Sequence, residues 1–196
     1  LKTIERLQED YNESFESLSK KSLFWFVRQR LSLKRNPRVS FSRLKAHQDL
    51  GKWTMRPLPG NLYLARYQPL QKNTLPFWDE YPLVLVLKSD NKYVQGVNMH
   101  YMHPQARFKY LTEIQKRYKW NEDSLVAIRN LNWNKVSVGR IKWATKASHR
   151  RYSREGLVTP WKKIHQKYWP LVCLLPLENI SGKEYPESVK KRFLVP

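Results

Sequence analysis

The sequence predicts an α+β fold: a small antiparallel β core, for which an SH3-like barrel is one arrangement, with helices before it and after its hairpin. Three observations predict it. Apolar residues recur every three or four positions near the start of the chain and again after residue 104, as on one face of a helix. The middle holds an apolar run, a turn-forming tetrapeptide and a second strand-like run in succession. No repeat at a fixed period links these parts, which leaves a small β core with helices before, inside and after it.

The first helix starts at Thr3, which can cap it, and places Ile4, Leu7, Tyr11, Phe15 and Leu18 on one stripe, with Glu5, Glu9, Asp10, Glu13 and Glu16 outside. A second runs from about Ser22 to Leu33, with Leu23, Phe26, Val27, Arg30 and Leu31 on one side, and Asn36-Pro37 stops it. Residues 37–59 hold Pro37, Pro57 and Pro59 and have no clear period; they read as a basic arm with one helical turn around Ser42 to Gln48. Pro59-Gly60 is a turn, and Asn61 to Tyr67 alternates, with Leu62 and Leu64 on one side and Tyr63, Ala65 and Tyr67 on the other. Leu75 to Asp79, with Pro76, reads as a corner. Pro82 to Leu87 is a strand buried on both sides, Ser89 to Lys92 is the hairpin turn, and Tyr93 to Tyr101 returns as a second strand. Beyond His103-Pro104 a helix runs from about Gln105 to Tyr118, with Phe108, Leu111, Ile114 and Gln115 as its inner face. A short helix from Glu122 to Leu131, a late strand from Leu171 to Leu175 and a C-terminal helix from Glu187 to Phe193 complete the reading. The chain thus divides into an N-terminal helical region and basic arm (1–59), a β core with inserted helices and a basic segment (60–178) and a C-terminal tail (179–196).

At 196 residues, 41% of them hydrophobic, the chain is too apolar to be wholly disordered. Its longest apolar stretches, Leu23 to Val27 and Leu83 to Leu87, fall far short of the ~20 residues a membrane-spanning helix needs, so no membrane partner is expected. No apolar segment near Leu1 resembles a signal peptide. The one cysteine, Cys173, can form neither an intrachain disulfide nor a thiolate metal site.

Charge is the strongest signal. Thirty-seven Lys and Arg against sixteen Asp and Glu give a net charge of +21. Residues 28–56 carry nine basic and one acidic group, and residues 135–167 carry ten and one, so these two blocks hold most of the excess. Such a balance favours a polyanionic partner, with acidic protein surfaces as the alternative. In the first block Arg28, Arg30, Lys34, Arg35 and Arg38 extend from the second helix and its end. In the second, Arg140, Lys142, Lys146, Arg150, Arg151, Arg154, Lys162, Lys163 and Lys167 interleave with Trp133, Trp143, Tyr152 and Trp161. Cations neutralise phosphates, and aromatic rings stack on frayed or single-stranded bases, a pairing suited to a DNA end. Trp143 and Trp161 fit either stacking or a place in the core. No helix resembles a base-reading element, so sequence-specific recognition is not expected.

Catalytic chemistry finds little support. His100 and His103 lack the further ligands a metal would need nearby. Asp79-Glu80 is a single acidic pair, whereas two-metal phosphodiester cleavage needs several converging carboxylates. No phosphate-cradling GxxxxGK[ST] loop and no GxGxxG fingerprint occurs. Neither an enzyme, nor a cofactor, nor a small-molecule substrate is expected.

Three blocks carry a family resemblance: Asn61-Leu-Tyr-Leu-Ala-Arg-Tyr67, Thr74-Leu-Pro-Phe-Trp-Asp-Glu-Tyr-Pro-Leu83 and Gly96-Val-Asn-Met-His-Tyr101, the last continued by Arg107 and Leu111. Ser22-Leu-Phe-Trp-Phe-Val-Arg28 and Val172-Cys-Leu-Leu-Pro-Leu-Glu178 add weaker matches. Together they resemble the DNA end protector, or head-completion, family of large contractile-tailed bacteriophages. Trp78 departs from the usual tyrosine, and Glu80 stands where a basic residue is frequent. The resemblance implies a non-catalytic virion protein of the head or neck, present in the host cytoplasm during assembly. It further implies binding to the termini of packaged double-stranded DNA and shielding them from host exonuclease. Portal, neck or tail subunits are the other partners it implies. A neck, tail or baseplate connector that binds neighbouring subunits instead of DNA is the rival. Because the motif region is nearly uncharged, the motif reads as core and the two basic blocks as the binding surface.

Overall fold

A computed structural model describes residues 19–34, 53–75, 78–117 and 148–175. Six strands form one antiparallel sheet: β1 (Trp53–Thr54), β2 (Leu62–Leu64), β3 (Leu83–Ser89), β4 (Tyr93–Asn98), β5 (His149–Ser153) and β6 (Trp161–Ile164). Their order is β1-β6-β2-β3-β4-β5. Among the described residues they are accompanied by the helices α1 (residues 19–34), α2 (Pro104–Arg117) and α3 (Trp169–Cys173). The fold is therefore α+β. Among the described residues the sheet is open, with β1 and β5 as its edges, and they form no closed SH3-like barrel.

Strand alternation splits the core in two, because successive side chains point to opposite faces. Leu62 and Leu64 of β2, Leu83, Leu85 and Leu87 of β3, Val97 and Ile164 face the helices. There they meet Trp25, Phe26 and Leu33 of α1, Phe108, Leu111 and Ile114 of α2, and Trp169 and Val172 of α3. The other face buries Tyr63, Tyr67, Val84, Val86, Val94, Tyr152 and Trp161. Tyr152 stands edge-on to Tyr67 at 5.1 Å and to Trp161 at 5.9 Å. With both faces covered, β3 needs an unbroken apolar run, as its sequence has. Gly60 has φ of 81°, which glycine adopts without strain, and its N–H donates to the Val86 carbonyl at 2.7 Å.

Several elements differ from the sequence reading, each for a physical reason. The buried side of α1 is Ser22, Trp25, Phe26 and Leu33, while Leu23, Val27 and Leu31 are exposed. The small Ser22 lets the helix approach α3, where its hydroxyl donates to the Leu171 carbonyl, and the larger rings follow on that side. The strand expected to reach Tyr101 stops at Asn98, whose side chain accepts the His100 N–H at 3.0 Å and turns the chain into a 3-10 helix, Met99–Tyr101. The stretch Leu171 to Leu175 is mostly helix α3 and not a strand; five apolar residues do not distinguish the two periods, and Pro170 fits a first helical turn. Within the expected arm, Trp53 and Thr54 form β1 and pair with Trp161 and Lys162. The second basic block supplies two strands, β5 and β6, where no strand was read. The corner holds a buried Asp79, and Tyr81 is fully buried while Trp78 is half-buried. The expected helices over 3–18, 122–131 and 187–193, the turn at 42–48 and the ring of Phe77 lie outside the described residues.

Candidate nucleic-acid interface

Two of the three resemblance blocks, residues 74–83 and 96–101, converge on a buried polar network. Asp79 is 3% exposed and accepts three hydrogen bonds: from the Tyr81 N–H at 2.8 Å, the Asn98 amide at 2.9 Å and His100 Nδ1 at 2.7 Å. The Asn98 amide also donates to the Tyr152 hydroxyl at 3.0 Å. Burial, and then the charge of Asp79, push the Tyr152 phenol well above its ordinary pKa. This network ties the corner at residue 79, the end of β4 and the middle of β5 into one unit. Glu80 points elsewhere and pairs with Arg66 at 2.8 Å, so the two neighbouring carboxylates serve different partners. Arg107 is fully buried and donates to the Met99, Val172 and Leu175 carbonyls, which clamps α2 to the last turn of α3. Cys173 is buried, and burial raises its thiol pKa to about 12, which removes thiolate chemistry near neutrality. Among the described residues no group of three His, Cys, Asp or Glu side chains could hold a metal ion.

The cationic candidates divide by what they touch. Arg28 and Lys34 are exposed on α1, Arg28 lying 5.8 Å from the centre of the Phe24 ring. Arg30 is half-buried over Tyr81, at 4.5 Å. Arg150 lies 4.7 Å from the Tyr101 ring centre, and the exposed Arg151 lies 4.6 Å from that of Tyr93. Lys163 is exposed on β6. Lys162 instead donates to Gln29 Oε1 at 2.9 Å and Ser32 Oγ at 2.8 Å, and so moors α1 to the sheet. Trp161 is a correction: it is 0% exposed in the second core, so neither ring face is open to a base. Of its two sequence readings, the core one holds. Arg35, Arg38, Arg140, Lys142, Trp143 and Lys146 lie outside the described residues.

The two basic blocks, separate in sequence, also meet beyond the ends of β1 and β5. Arg154 follows β5 and donates from Nε to the Asp90 carbonyl at 2.7 Å, from Nη2 to Ser89 Oγ at 2.9 Å and from Nη1 to the Met55 carbonyl. It thereby bridges the β3–β4 turn to the segment after β1, drawing one end of each sheet edge together. Partial burial, and then the nearby Arg56 charge, lower the pKa of Arg154. Arg56, Pro57, Leu58, Pro59, Ser89, Asp90, Asn91 and Arg154 line a cleft of about 290 Å³ here. Asp90 accepts the Lys92 and Tyr93 N–H groups at 2.9 and 2.8 Å, which together hold its carboxyl below the usual range. The sequence reading did not single out Arg56. Its signal is a cation at the mouth of a loop stiffened by Pro57 and Pro59.

Comparison with curated proteins and with solved structures gave no match. The family model of the Phage T4 terminal DNA protecting protein matches residues 31–193, from the last turns of α1 through every strand of the sheet and beyond α3. The chain therefore belongs to the Phage T4 terminal DNA protecting protein family.

Proposed function

We propose that this protein binds the termini of packaged double-stranded phage DNA and shields them from exonuclease by occupying the end, without catalysis. The observation that carries this reading is the convergence of two strongly basic blocks at Arg56 and Arg154 in a chain of this family. Its polar motif residues are turned inward to hold the fold, which leaves the outer cations for phosphates. Bound at a terminus, the protein acts as a plug: a nuclease that must thread or grip the end finds it occupied. The virion, at the head or neck where a genome end resides, is the setting, with other virion subunits as neighbours.

The test is a protection assay with the purified full chain. Linear duplex and a closed circle of equal length are titrated, and the linear form is then exposed to a processive exonuclease. Tighter binding to the linear form, with protection that saturates at a fixed ratio of protein to ends, is the expected result. Equal binding to circle and linear DNA, with no protection, overturns the reading. Cleavage of the DNA by the protein in Mg²⁺ or Mn²⁺ would overturn the non-catalytic part.

One observation favours a second reading, a connector in the neck, tail or baseplate. The outer side of α1 exposes Leu23, Phe24, Val27 and Leu31, with Phe24 65% exposed, and such a stripe suits a protein partner. A chain that ignores DNA in the titration above supports this alternative.

A further inference from the structure

We propose that the cleft between the loop after β1 and the β3–β4 turn is a receptor for a phosphate monoester at a DNA terminus, held between Arg56 and Arg154. This inference rests on the end-binding reading above and names the group that the end presents.

Arg154 is pre-positioned. Three of its five N–H donors are committed, one from each nitrogen, to Asp90, Ser89 and Met55, which fixes the plane of the guanidinium and leaves two donors. Arg56 is exposed, and its guanidinium has no hydrogen-bond or ion-pair partner among the described residues. Two like charges thus stand near each other at a concave surface, and an anion between them relieves their repulsion. Asp90, the one carboxylate in the lining, is turned into its own hairpin and spends Oδ1 on two backbone N–H groups, so it does not neutralise the pair by contact. Its charge still leaves the lining with a net excess of one positive charge, to which the neighbouring Lys88 and Lys92 add.

The shape selects the ligand. An internal phosphodiester carries one negative charge and is flanked by sugars on both sides, so it suits an open groove. A terminal monoester carries about −1.5 to −2 at neutral pH and presents three oxygens at a free tip, so it can enter a cleft head-on. Two guanidiniums supply forked donors for those oxygens, the geometry in which arginine surpasses lysine. The loop holding Arg56 is braced by Pro57, Pro59 and the left-handed Gly60, which limits the ordering that binding would require.

The test uses a hairpin duplex with one open end that carries a 5′-phosphate, a 3′-phosphate or hydroxyls only, beside a dumbbell closed at both ends. Each is titrated with the full chain at one salt concentration. A phosphate on either strand is expected to tighten binding by about tenfold over hydroxyls. In Arg56→Gln that ratio falls to about one, while Lys109→Gln, an exposed change on α2, keeps it. Open ends that outbind the dumbbell with no effect of phosphate would overturn the cleft and leave end binding standing. Open ends no better than the dumbbell in all three forms would overturn both. A phosphate preference that survives Arg56→Gln would overturn the assignment to this cleft.

Discussion

Asp79 shows how one side chain can set the job of a whole motif. Its carboxylate is almost out of contact with water, yet it collects three donors, so its desolvation is offset by hydrogen bonds from a backbone amide, an asparagine and a histidine. Removing it takes the shared acceptor from the Tyr81 N–H and His100 Nδ1 and leaves the Asn98 amide with Tyr152 alone. Asp79→Ala should therefore cost about 3 kcal/mol of stability, the low end for breaking a buried ionic contact. Urea unfolding read by tryptophan fluorescence would show it as a lower midpoint at unchanged slope. A midpoint that stays within error would mean that the network contributes little. The sequence reading had anticipated the local part, a corner ending at Asp79. It had not joined Asp79 to Asn98 and His100, because the link crosses about twenty residues and depends on how β3 and β4 pair.

The hairpin of β3 and β4 and the helix α2 were legible in the sequence because their patterns are local. An apolar run, a Ser-Asp-Asn-Lys turn and Tyr93 onward define the former; Phe108, Leu111 and Ile114 define the latter. Strands β1, β5 and β6 were not, since β5 and β6 carry cations on their outward positions and two to five residues give too little periodicity to read. Gly96 belongs to this scale. It sits opposite Val86, next to a register shift between Val86 and Lys88, and a methyl there would lie 2.5 Å from Val84 Cγ1 and closer still to the Leu85 carbonyl oxygen. The crowding atom is backbone, so rotamer changes cannot relieve it and the two strands must separate. Gly96→Ala is expected to destabilise the protein by about 2–3 kcal/mol, as overpacking does, and to lower the thermal midpoint. An unchanged midpoint would show that the ladder yields at this point without loss.

For the whole molecule, the net charge of +21 dominates, and the sequence alone revealed it together with its two blocks. What it could not reveal is which cations the fold consumes. Lys162 moors α1, and Trp161, which interleaves with the cations in the sequence, fills a core, whereas Arg154 bridges the sheet edges and still keeps two donors for the cleft. Within the two blocks, six described cations remain exposed: Arg28, Lys34, Arg56, Arg151, Lys163 and Lys167. If each neutralises one phosphate, counterion release gives a slope of about −5 for log affinity against log salt, near −0.9 per phosphate. Affinity for duplex should then fall by about a thousandfold between roughly 50 and 200 mM monovalent salt. Filter binding over that range measures the slope directly, and cations outside the described residues can only steepen it if they too reach phosphates. A flat series would mean that the cations face something other than a polyanion, and the exposed stripe of α1 would then mark the surface through which the protein works.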